Sequence, residues 1–307
     1  MLRAYPDSDL RRAAWVDLCQ PTAEELARVR EATSLRVPDE HEISEIESSS
    51  RLGFEGGAFR LSTPLPVAGT NGSALMSVGF VLSKRVLLTV RFGPLPSLDA
   101  VYDGFAAQQA RTAEEAFLRI LEVVVDRAAD HLERSGVECD DLSRTTFADR
   151  GRGPRFSADL RTTLSRIGRA ADDMSHVRDT LLGLGRIVAY VMDSGIEGSP
   201  SVSQARLKAV RSDVASLADY QAHLSGKAQF LLDATLGFIN IEQNDIVKIL
   251  TVASVVGIPP VLIAGIYGMN FHRMPELDWS FGYPMAIGLI VLSGILPLVW
   301  FKQRRWI

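Results

Sequence analysis

The sequence is poor in the residues that cross-link a small secreted protein. Its only two cysteines, Cys19 and Cys139, lie far apart and outside any CxxC pair, so we expect free thiols in a reducing compartment. A basic excess is missing too, because 33 Lys and Arg face 37 Asp and Glu, which argues against a nucleic-acid partner. The first residues contain no apolar run, so we expect no secretory signal and a cytoplasmic N-terminal part.

Short enzyme motifs are also missing. Residues 1–245 contain no GxxxxGK[ST] phosphate loop, no GxSxG nucleophile turn and no HExxH metal motif. The five histidines do not have the spacing of metal ligands: His41, His131, His176, His223 and His272. We therefore expect that the protein is not an enzyme and holds no cofactor.

Charge is nearly absent from two stretches near the C-terminus. About 19 residues from Ile249 to Tyr267, and about 21 from Phe281 to Phe301, carry no charged side chain. Each is long enough to cross a hydrocarbon core of about 30 Å. A basic tail at residues 302–305 follows the second stretch, and such tails stay in the cytoplasm. The pattern predicts a multi-pass protein of the inner (plasma) membrane, with both termini cytoplasmic and residues 268–280 outside.

The N-terminal third mixes strand and helix signals. Apolar runs of strand length, rich in β-branched and aromatic residues, are Ala13–Leu18, Ala74–Leu82 and Arg85–Phe92. A capping box of Thr22 and Glu25 predicts that a helix begins after Thr22. Pro38 predicts a second, short helix around Glu42–Glu47.

From about residue 106 the chain becomes rich in Ala, Leu, Arg and Glu, which is typical of long helices. We predict one helix over residues 113–133, a second from about Ser157 to Met192, and a third beginning near Val202. The third pattern does not stop before the first apolar stretch. It therefore predicts a single helix of roughly 65 residues that begins in the cytoplasm and ends in the membrane.

These elements define the expected fold class, an α+β chain in three parts. Residues 1–105 form a cytoplasmic α/β domain, and residues 106–245 form a cytoplasmic long-helix bundle and stalk. Residues 246–307 hold two transmembrane helices, at about 246–267 and 281–301. The second of these helices is uniformly apolar, which suits contact with lipid.

One face of the first apolar stretch is small or mildly polar. Steps of three and four residues give this stripe: Asn244, Val247, Thr251, Ser254, Ile258, Val261, Gly265 and Gly268. Two spans cannot enclose an aqueous path alone, but an oligomer can. The stripe therefore allows two interpretations, a narrow pore lined by first spans or helix packing through small residues.

The loop between the two spans carries several motifs. YGMNF at Tyr267–Phe271 is followed by MPEL at Met274–Leu277, by Trp279 and by GYP at Gly282–Pro284. In this order, between two spans and ahead of a basic tail, they resemble the CorA family of magnesium transport proteins. The resemblance is close from Leu236 to Ile307 and weaker upstream.

The resemblance implies a funnel-shaped homopentamer that imports Mg²⁺ and also Co²⁺, with Ni²⁺ as a further candidate. The implied selectivity filter is Gly268, Met269 and Asn270. The implied pore-lining positions are Asn244, Val247, Leu250, Thr251, Ile258, Val261 and Gly265. Mg²⁺ releases its waters reluctantly, so a ring of Asn270 amide oxygens suits the hydrated ion by accepting hydrogen bonds from those waters.

The resemblance also implies gating by cytoplasmic Mg²⁺, which is then a regulatory ligand as well as the substrate. The matching positions are Glu45 and Asp213, although Glu42 and Glu47 compete with Glu45. Carboxylates that face each other across a subunit interface repel until a hard cation bridges them. Loss of the metal would then open the assembly.

The outside loop departs from the charge pattern of the family. Glu276 is present to attract cations. However, His272 and Arg273 stand where relatives usually carry an acidic or aromatic pair, and Asp278 stands where they carry a basic residue. The sequence does not predict how this loop concentrates cations.

Three alternatives stay open. A proton-coupled Zn²⁺ importer like the ZntB proteins shares the architecture, but those proteins tend to lack the MPEL continuation. A membrane-tethered enzyme needs a nucleophile, a phosphate loop or a metal cluster in residues 1–245. A structural or signalling assembly leaves the polar entrance at Asn270 unexplained.

Overall fold

The computed structural model describes residues 1–6, 9–45, 47, 51–69, 72–108, 112–147, 154–193, 202–269, 274–275, 279–304 and 306. The chain divides into two compact units. We call them the first unit, Met1–Asp149 with Arg161–Leu232, and the second unit, Arg150–Leu160 with Asp233–Ile307. The three-part division at residues 105 and 245 stays a prediction.

The described residues form six strands and seven helices. The strands are β1 Leu2–Tyr5, β2 Trp15–Cys19, β3 Leu52–Glu55, β4 Ala58–Gly69, β5 Gly72–Ser83 and β6 Leu87–Arg91. The helices are α1 Ala23–Thr33, α2 Glu40–Ser44, α3 Pro96–Gln108, α4 Ala113–Phe147, α5 Pro154–Asp193, α6 Gln204–Tyr267 and α7 Gly282–Gln303.

All six strands form one sheet in the order β1–β2–β6–β5–β4–β3. Neighbouring strands are antiparallel except β2 and β6, which are parallel. The three predicted strands are confirmed as β2, β5 and β6. Strands β1, β3 and β4 and helix α3 were not predicted. In β4 the strand pattern of the sequence is interrupted by Pro64 and Pro66. The strand tolerates these prolines because β3 pairs with β4 only as far as Leu61.

Side chains from alternate residues of the sheet enter two separate cores, as the two-residue period of a strand requires. On one side, Trp15 and Phe80 pack in a cluster with Phe117 of α4 and with residues of α5 and α6. On the other side, Val16 packs in a cluster with Val29 of α1. The sheet is therefore covered on both faces, which explains why every residue of β6 is buried.

A buried ion network ties α3 to the sheet. Asp17 on β2 is fully buried and accepts hydrogen bonds from Arg3 at 2.8 Å, Arg91 at 2.8 Å and Thr89 at 2.7 Å. Asp99 on α3 accepts hydrogen bonds from Arg91 at 2.6 Å and from Arg3. Burial opposes ionisation of Asp99, but these hydrogen bonds outweigh it and lower the pKa of its carboxyl group. Each buried charge thus has a partner, which is the condition for its presence in a core.

The predicted capping box of α1 is confirmed. The Thr22 side chain accepts a hydrogen bond from the Glu25 backbone N–H, and the Glu25 side chain accepts one from the Thr22 backbone N–H. The short second helix was predicted around Glu42–Glu47, but it is Glu40–Ser44. Its start lies earlier because Asp39 forms a capping box with Glu42. Glu45 is consequently the residue after the helix and not part of it.

All three predicted long helices are present, and two of them are longer than predicted. Helix α4 continues to Phe147 and does not end near residue 133, because apolar residues such as Leu142 keep the helical period and are buried in a small third cluster with Ile167 and Leu231. The predicted single helix is confirmed as α6, which has 64 residues and continues through Pro259 and Pro260.

Helices α6 and α7 are the two described helices that are long and apolar enough to cross a membrane. None of the most apolar 18-residue stretch of α6 is buried, and only 11% of that of α7 is. A soluble core helix would be mostly buried. The apolar surface of both helices therefore needs cover from lipid or from further subunits.

Helix α5 lies close against β4 at a glycine. A methyl group on Gly183 would overlap the hydroxyl of Thr63 and lie 3.0 Å from its Cβ. One turn earlier, the buried Thr180 hydroxyl donates a hydrogen bond to the Pro64 carbonyl at 3.0 Å. The two residues hold the helix and the strand together, and the close approach excludes a side chain at Gly183.

We predict that Gly183→Ala destabilises the protein by about 1–3 kcal/mol, because the added methyl group overpacks this contact. Gly185→Ala is the matched control two residues along the same helix, where a methyl group would lie at an ordinary 3.6 Å from Val214. It should be neutral or stabilising by up to about 1 kcal/mol. Chemical unfolding of the purified variants measures both, and an equal loss of stability in the two variants would show that the contact is loose.

Candidate functional site

In the second unit, α6 and α7 pack against each other. A methyl group on Gly294 of α7 would lie 3.7 Å from Cγ of Pro260 and 4.0 Å from the carbonyl oxygen of Val256. The buried and partly buried residues of α7 lie mainly along one face of the helix: Gly282, Met285, Ala286, Ile290, Ser293, Gly294, Pro297 and Phe301. The partly buried residues of α6 include Val252, Val256, Pro259, Pro260, Ile263 and Tyr267.

The two prolines of α6 change the backbone at this contact. Pro259 and Pro260 have no N–H group, so the carbonyls of Val255 and Val256 lose their usual helical donor. The small Gly294 lies beside the Val256 carbonyl. The close approach of a neighbouring helix is one of the ways in which membrane proteins accommodate prolines inside a helix.

The predicted pore stripe lies on a different face of α6. Its seven predicted positions are all in the helix, and all but Thr251 are exposed: Asn244, Val247, Leu250, Ile258, Val261 and Gly265. Thr251 is partly buried and donates its hydroxyl hydrogen to the Val247 carbonyl at 2.8 Å. At about 100° per residue, the stripe is centred roughly opposite the face that contacts α7. Helix α7 therefore leaves the stripe uncovered.

The exposed stripe is apolar over most of its length. Val247, Leu250, Ile258 and Val261 each expose more than half of their surface, with Val261 reaching 72%. An apolar band of this size on a folded chain marks a surface that meets a partner or lipid. Asn244 supplies an amide group near the N-terminal end of the band.

The predicted filter begins where α6 ends. The Gly268 N–H donates to the Ala264 carbonyl at 2.9 Å, and the Met269 N–H donates to the Ile266 carbonyl at 3.2 Å. A Cβ on Gly268 would lie 3.0 Å from the Ala264 carbonyl oxygen, so the turn at this helix end favours glycine. The last carbonyls of a helix carry a partial negative charge, which places a cation-attracting end beside these residues.

The remaining loop predictions fall outside the described residues. These are the filter residue Asn270, the acidic residue Glu276 and the unusual loop residues His272, Arg273 and Asp278. Of the predicted filter, only Gly268 and Met269 therefore have a described position.

The two predicted regulatory carboxylates lie in the first unit. Asp213 is exposed on α6. Glu45 follows α2, with its Oε1 3.4 Å from Nδ1 of His41. Ile43 anchors α2 to the sheet, since a Cβ on Gly79 of β5 would lie only 2.9 Å from its Cγ2. Glu45 is thus presented from a fixed base.

The structure distinguishes Glu45 from Glu42, one of the two other carboxylates considered as the regulatory metal ligand. The Glu42 carboxylate accepts a hydrogen bond from the Asp39 backbone N–H and pairs with Arg36, so it is already engaged. Glu47 is exposed. Among the described residues, no group of three or more His, Cys, Asp or Glu is arranged to hold a metal. A metal at Glu45 or Asp213 therefore needs ligands from water or another subunit.

Aromatic side chains cluster at the C-terminal end of α7. Phe301 is buried, and its ring stacks on Trp306 at 5.5 Å and contacts Trp300 edge-on at 5.1 Å. The Arg304 guanidinium lies 5.8 Å from the centre of the Trp300 ring. Tryptophan beside basic residues is typical of a membrane–water interface on the cytoplasmic side.

A group of two arginines and a histidine on α4 was missed from the sequence. Arg127, His131 and Arg134 line a cavity in the first unit, whereas His131 was interpreted as one of five scattered histidines. The signal was their spacing of four and three residues, which places them on one face of a helix.

Comparison with known proteins covers nearly the whole chain. A family model described as CorA-like Mg²⁺ transporter protein matches residues 11–303. The magnesium transport protein CorA of Yersinia pestis is 33% identical over 303 residues, which cover 97% of this chain and 93% of that protein. Its counterpart from Escherichia coli K12 is 32% identical over 310 residues, covering 100% and 96%.

Solved structures show the same fold. The complete CorA magnesium transporter from Methanocaldococcus jannaschii has a TM-score of 0.74 at 19% identity and covers 95% of this chain and 91% of its own. The ZntB cytoplasmic domain from Vibrio parahaemolyticus has a TM-score of 0.57 at 10% identity, covering 74% and 87%. The predicted fold class, an N-terminal α/β domain followed by long helices and two candidate transmembrane helices, is confirmed.

Proposed function

This chain belongs to the CorA family of Mg²⁺ transporters, and we propose that it imports Mg²⁺ across the inner (plasma) membrane through a pore lined by α6 of each subunit. The observation that carries the proposal is the exposed stripe of α6. Within the second unit α7 covers the opposite side of α6, so copies of the stripe are free to face one another. The filter residues follow directly at the end of the same helix.

The pore requires several subunits. One chain contributes two apolar helices that pack on each other, and two helices cannot surround water. We propose the funnel-shaped homopentamer that the family resemblance implies, with α6 innermost and α7 facing the lipid. The uniformly apolar sequence of α7 supports that placement.

The entrance is proposed to select hydrated Mg²⁺. The Asn270 side-chain oxygen of each subunit accepts hydrogen bonds from the waters of the ion, which Mg²⁺ releases reluctantly. The C-terminal ends of several α6 helices add partial negative charge around the same point. A neutral amide ring binds less tightly than a carboxylate ring, and conduction needs binding that is weak enough for release.

Below the entrance the proposed pore is mostly uncharged. Rings of Val247, Leu250 and Ile258 are apolar, and such rings close a narrow pore by excluding water. Thr251, Val261 and Gly265 complete the lining, with Asn244 as a second polar ring at the cytoplasmic end. An uncharged path lets the hydrated cation pass without a deep binding site.

The proposed orientation places both termini in the cytoplasm and residues 268–280 outside. Lys302, Arg304 and the tryptophans around Phe301 support it, because basic flanks stay inside and tryptophan occupies the interface. Glu276 then lies in the outside loop, where its charge attracts cations to the filter.

We further propose that cytoplasmic Mg²⁺ regulates the pore through Glu45 and Asp213. Both side chains are accessible and neither belongs to a complete metal site among the described residues. Mg²⁺ is bound in proteins by one or two carboxylates while it keeps several waters, which matches this sparse ligand set. Bound metal would hold neighbouring subunits together and favour the closed state.

A Zn²⁺ importer of the ZntB type is the alternative. The likeness to a ZntB cytoplasmic domain rests on fold at 10% identity, whereas relatives named magnesium transport proteins reach 33% identity over nearly the full chain. The relatives thus favour Mg²⁺, and we propose Co²⁺ as a second cargo, with Ni²⁺ and Zn²⁺ as further candidates. The family is a transporter family, so we propose no enzymatic activity.

We predict that Asn270→Ala reduces Mg²⁺ influx into liposomes that carry the purified protein. Each subunit loses one hydrogen-bond acceptor worth about 0.5–1.5 kcal/mol, so the ring together should lower influx at least about tenfold. Gln303→Ala, which removes an amide side chain beyond the other end of the membrane helices, should leave influx unchanged.

The same liposomes separate the two cargoes. Mg²⁺ influx in the wild type should not depend on a pH gradient, and it should exceed Zn²⁺ influx. Influx of Zn²⁺ alone, or influx that follows the proton gradient, would contradict the proposed cargo and mechanism. Full influx in Asn270→Ala would contradict the proposed filter.

We predict that Asp213→Asn weakens inhibition by internal Mg²⁺. In the wild type, influx should fall as the Mg²⁺ loaded inside the liposomes rises, and the variant should need about tenfold more, since it loses a charged ligand. Asp219→Asn changes an exposed carboxylate on another face of the same helix and should behave like the wild type. Unaltered inhibition in Asp213→Asn would remove this residue from the proposed sensor.

A further inference from the structure

A cavity of about 450 Å³ lies within the first unit, away from every residue assigned above to the pore or to the sensor. It lies among β4, the segment between β6 and α3, and the helices α4 and α5. Its lining residues include Pro66, Val67, Pro96, Arg127, His131, Arg134 and Asp173. Its volume falls in the range of small-molecule sites, about 300–1,000 Å³.

One wall of the cavity is cationic. Arg127, His131 and Arg134 lie on one face of α4, because residues four and three positions apart share a helix face. Arg134 donates from Nε to the Asp130 carbonyl at 3.2 Å. Within the described parts of the chain, neither arginine forms an ion pair with a carboxylate.

The charges of the cavity do not cancel. Two guanidinium groups face one carboxylate, Asp173 of α5. Burial and the neighbouring Arg134 lower the pKa of His131, so its imidazole is neutral at pH 7 and offers a hydrogen bond without charge. The cavity therefore has a net positive lining with hydrogen-bond donors that point from a rigid helix.

Another wall is apolar and held in place. Its accessible surface comes from Pro66, Val67 and Pro96, and the buried Leu65, Leu95 and Val177 pack behind it. The hydrogen bond from the Thr180 hydroxyl to the Pro64 carbonyl, at 3.0 Å, fixes α5 to β4 beside this wall. Pre-formed apolar walls with a few convergent polar groups are typical of ligand sites.

We propose that this cavity binds a small organic phosphate whose body is apolar, of the size of a nucleoside monophosphate. Arginine matches phosphate oxygens with paired hydrogen bonds, so Arg127 and Arg134 hold the phosphate group. The base or another flat apolar body lies against Pro66, Val67 and Pro96, and the His131 imidazole adds one hydrogen bond. The ligand bridges α4, α5 and the sheet.

The bridging position predicts an effect on stability. A ligand that binds the folded protein and not the unfolded chain raises the unfolding temperature, and the stabilisation grows with the logarithm of ligand concentration over Kd. Helices α4 and α5 belong to the first unit, so the effect does not depend on transport of Mg²⁺ and is measured without it.

The test uses the full-length protein in detergent and adenosine monophosphate as the probe, because a monophosphate chelates Mg²⁺ only weakly. Binding is followed by calorimetry and by the shift in unfolding temperature. We expect adenosine monophosphate to bind, and both adenosine and inorganic phosphate to bind at least about tenfold more weakly, since each uses one wall only.

Arg127→Gln and Arg134→Gln should each weaken adenosine monophosphate binding about tenfold or more, which corresponds to the loss of a charge-assisted hydrogen bond. Arg169→Gln, an exposed arginine on α5 outside the cavity, is the matched control and should bind like the wild type. Arg134 is exposed, so we expect Arg134→Gln to fold. This variant therefore tests the proposal even if Arg127→Gln does not fold.

Three results would overturn the proposal. Adenosine monophosphate does not bind the wild type, or it binds the Arg134→Gln variant as tightly as the wild type. The third is that inorganic phosphate binds as tightly as the nucleotide, which would make the site a simple anion site with no role for the apolar wall.

Discussion

The hydrocarbon core of the membrane is the constraint on which the rest of this structure depends. Backbone groups find no hydrogen-bond partner there, so the chain crosses it as helices. Helix α6 stays helical over 64 residues although Pro259 and Pro260 remove two of its hydrogen bonds, and α7 covers that proline-containing side through Gly294. What α7 leaves uncovered is the opposite face, and the proposed path for Mg²⁺ lies along that face.

The same helix also connects the proposed sensor with the proposed filter. Asp213 and Gly268 lie on or directly after α6, with no loop between them. If cytoplasmic Mg²⁺ regulates the pore as proposed, the signal passes along this one helix. The buried network of Asp17, Arg91 and Asp99 joins β2, β6 and α3 within the first unit.

Sequence reasoning predicted much of the fold because its signals are strong and local. The uncharged stretches predicted both membrane helices, and the unbroken period from Val202 predicted α6. Strand β4 was missed because Pro64 and Pro66 resemble a turn, and only the register with β3 shows that these residues lie beyond the paired part of one edge. The sequence could not predict that the stripe is left uncovered, because this depends on which face of α6 contacts α7. The cationic wall formed by Arg127 and Arg134 needed the structure for the same reason.

The central claim is that the exposed face of α6 lines an aqueous path, and cysteine accessibility tests it most directly. In a background of Cys19→Ser and Cys139→Ala, Val261→Cys places a thiol on the exposed stripe, and Ile263→Cys places one on the face toward α7. A water-soluble charged thiol reagent, applied to protein in vesicles, should modify Val261→Cys and block Mg²⁺ influx while leaving Ile263→Cys unmodified. Modification of Ile263→Cys alone, or protection of Val261→Cys by lipid, would contradict the account.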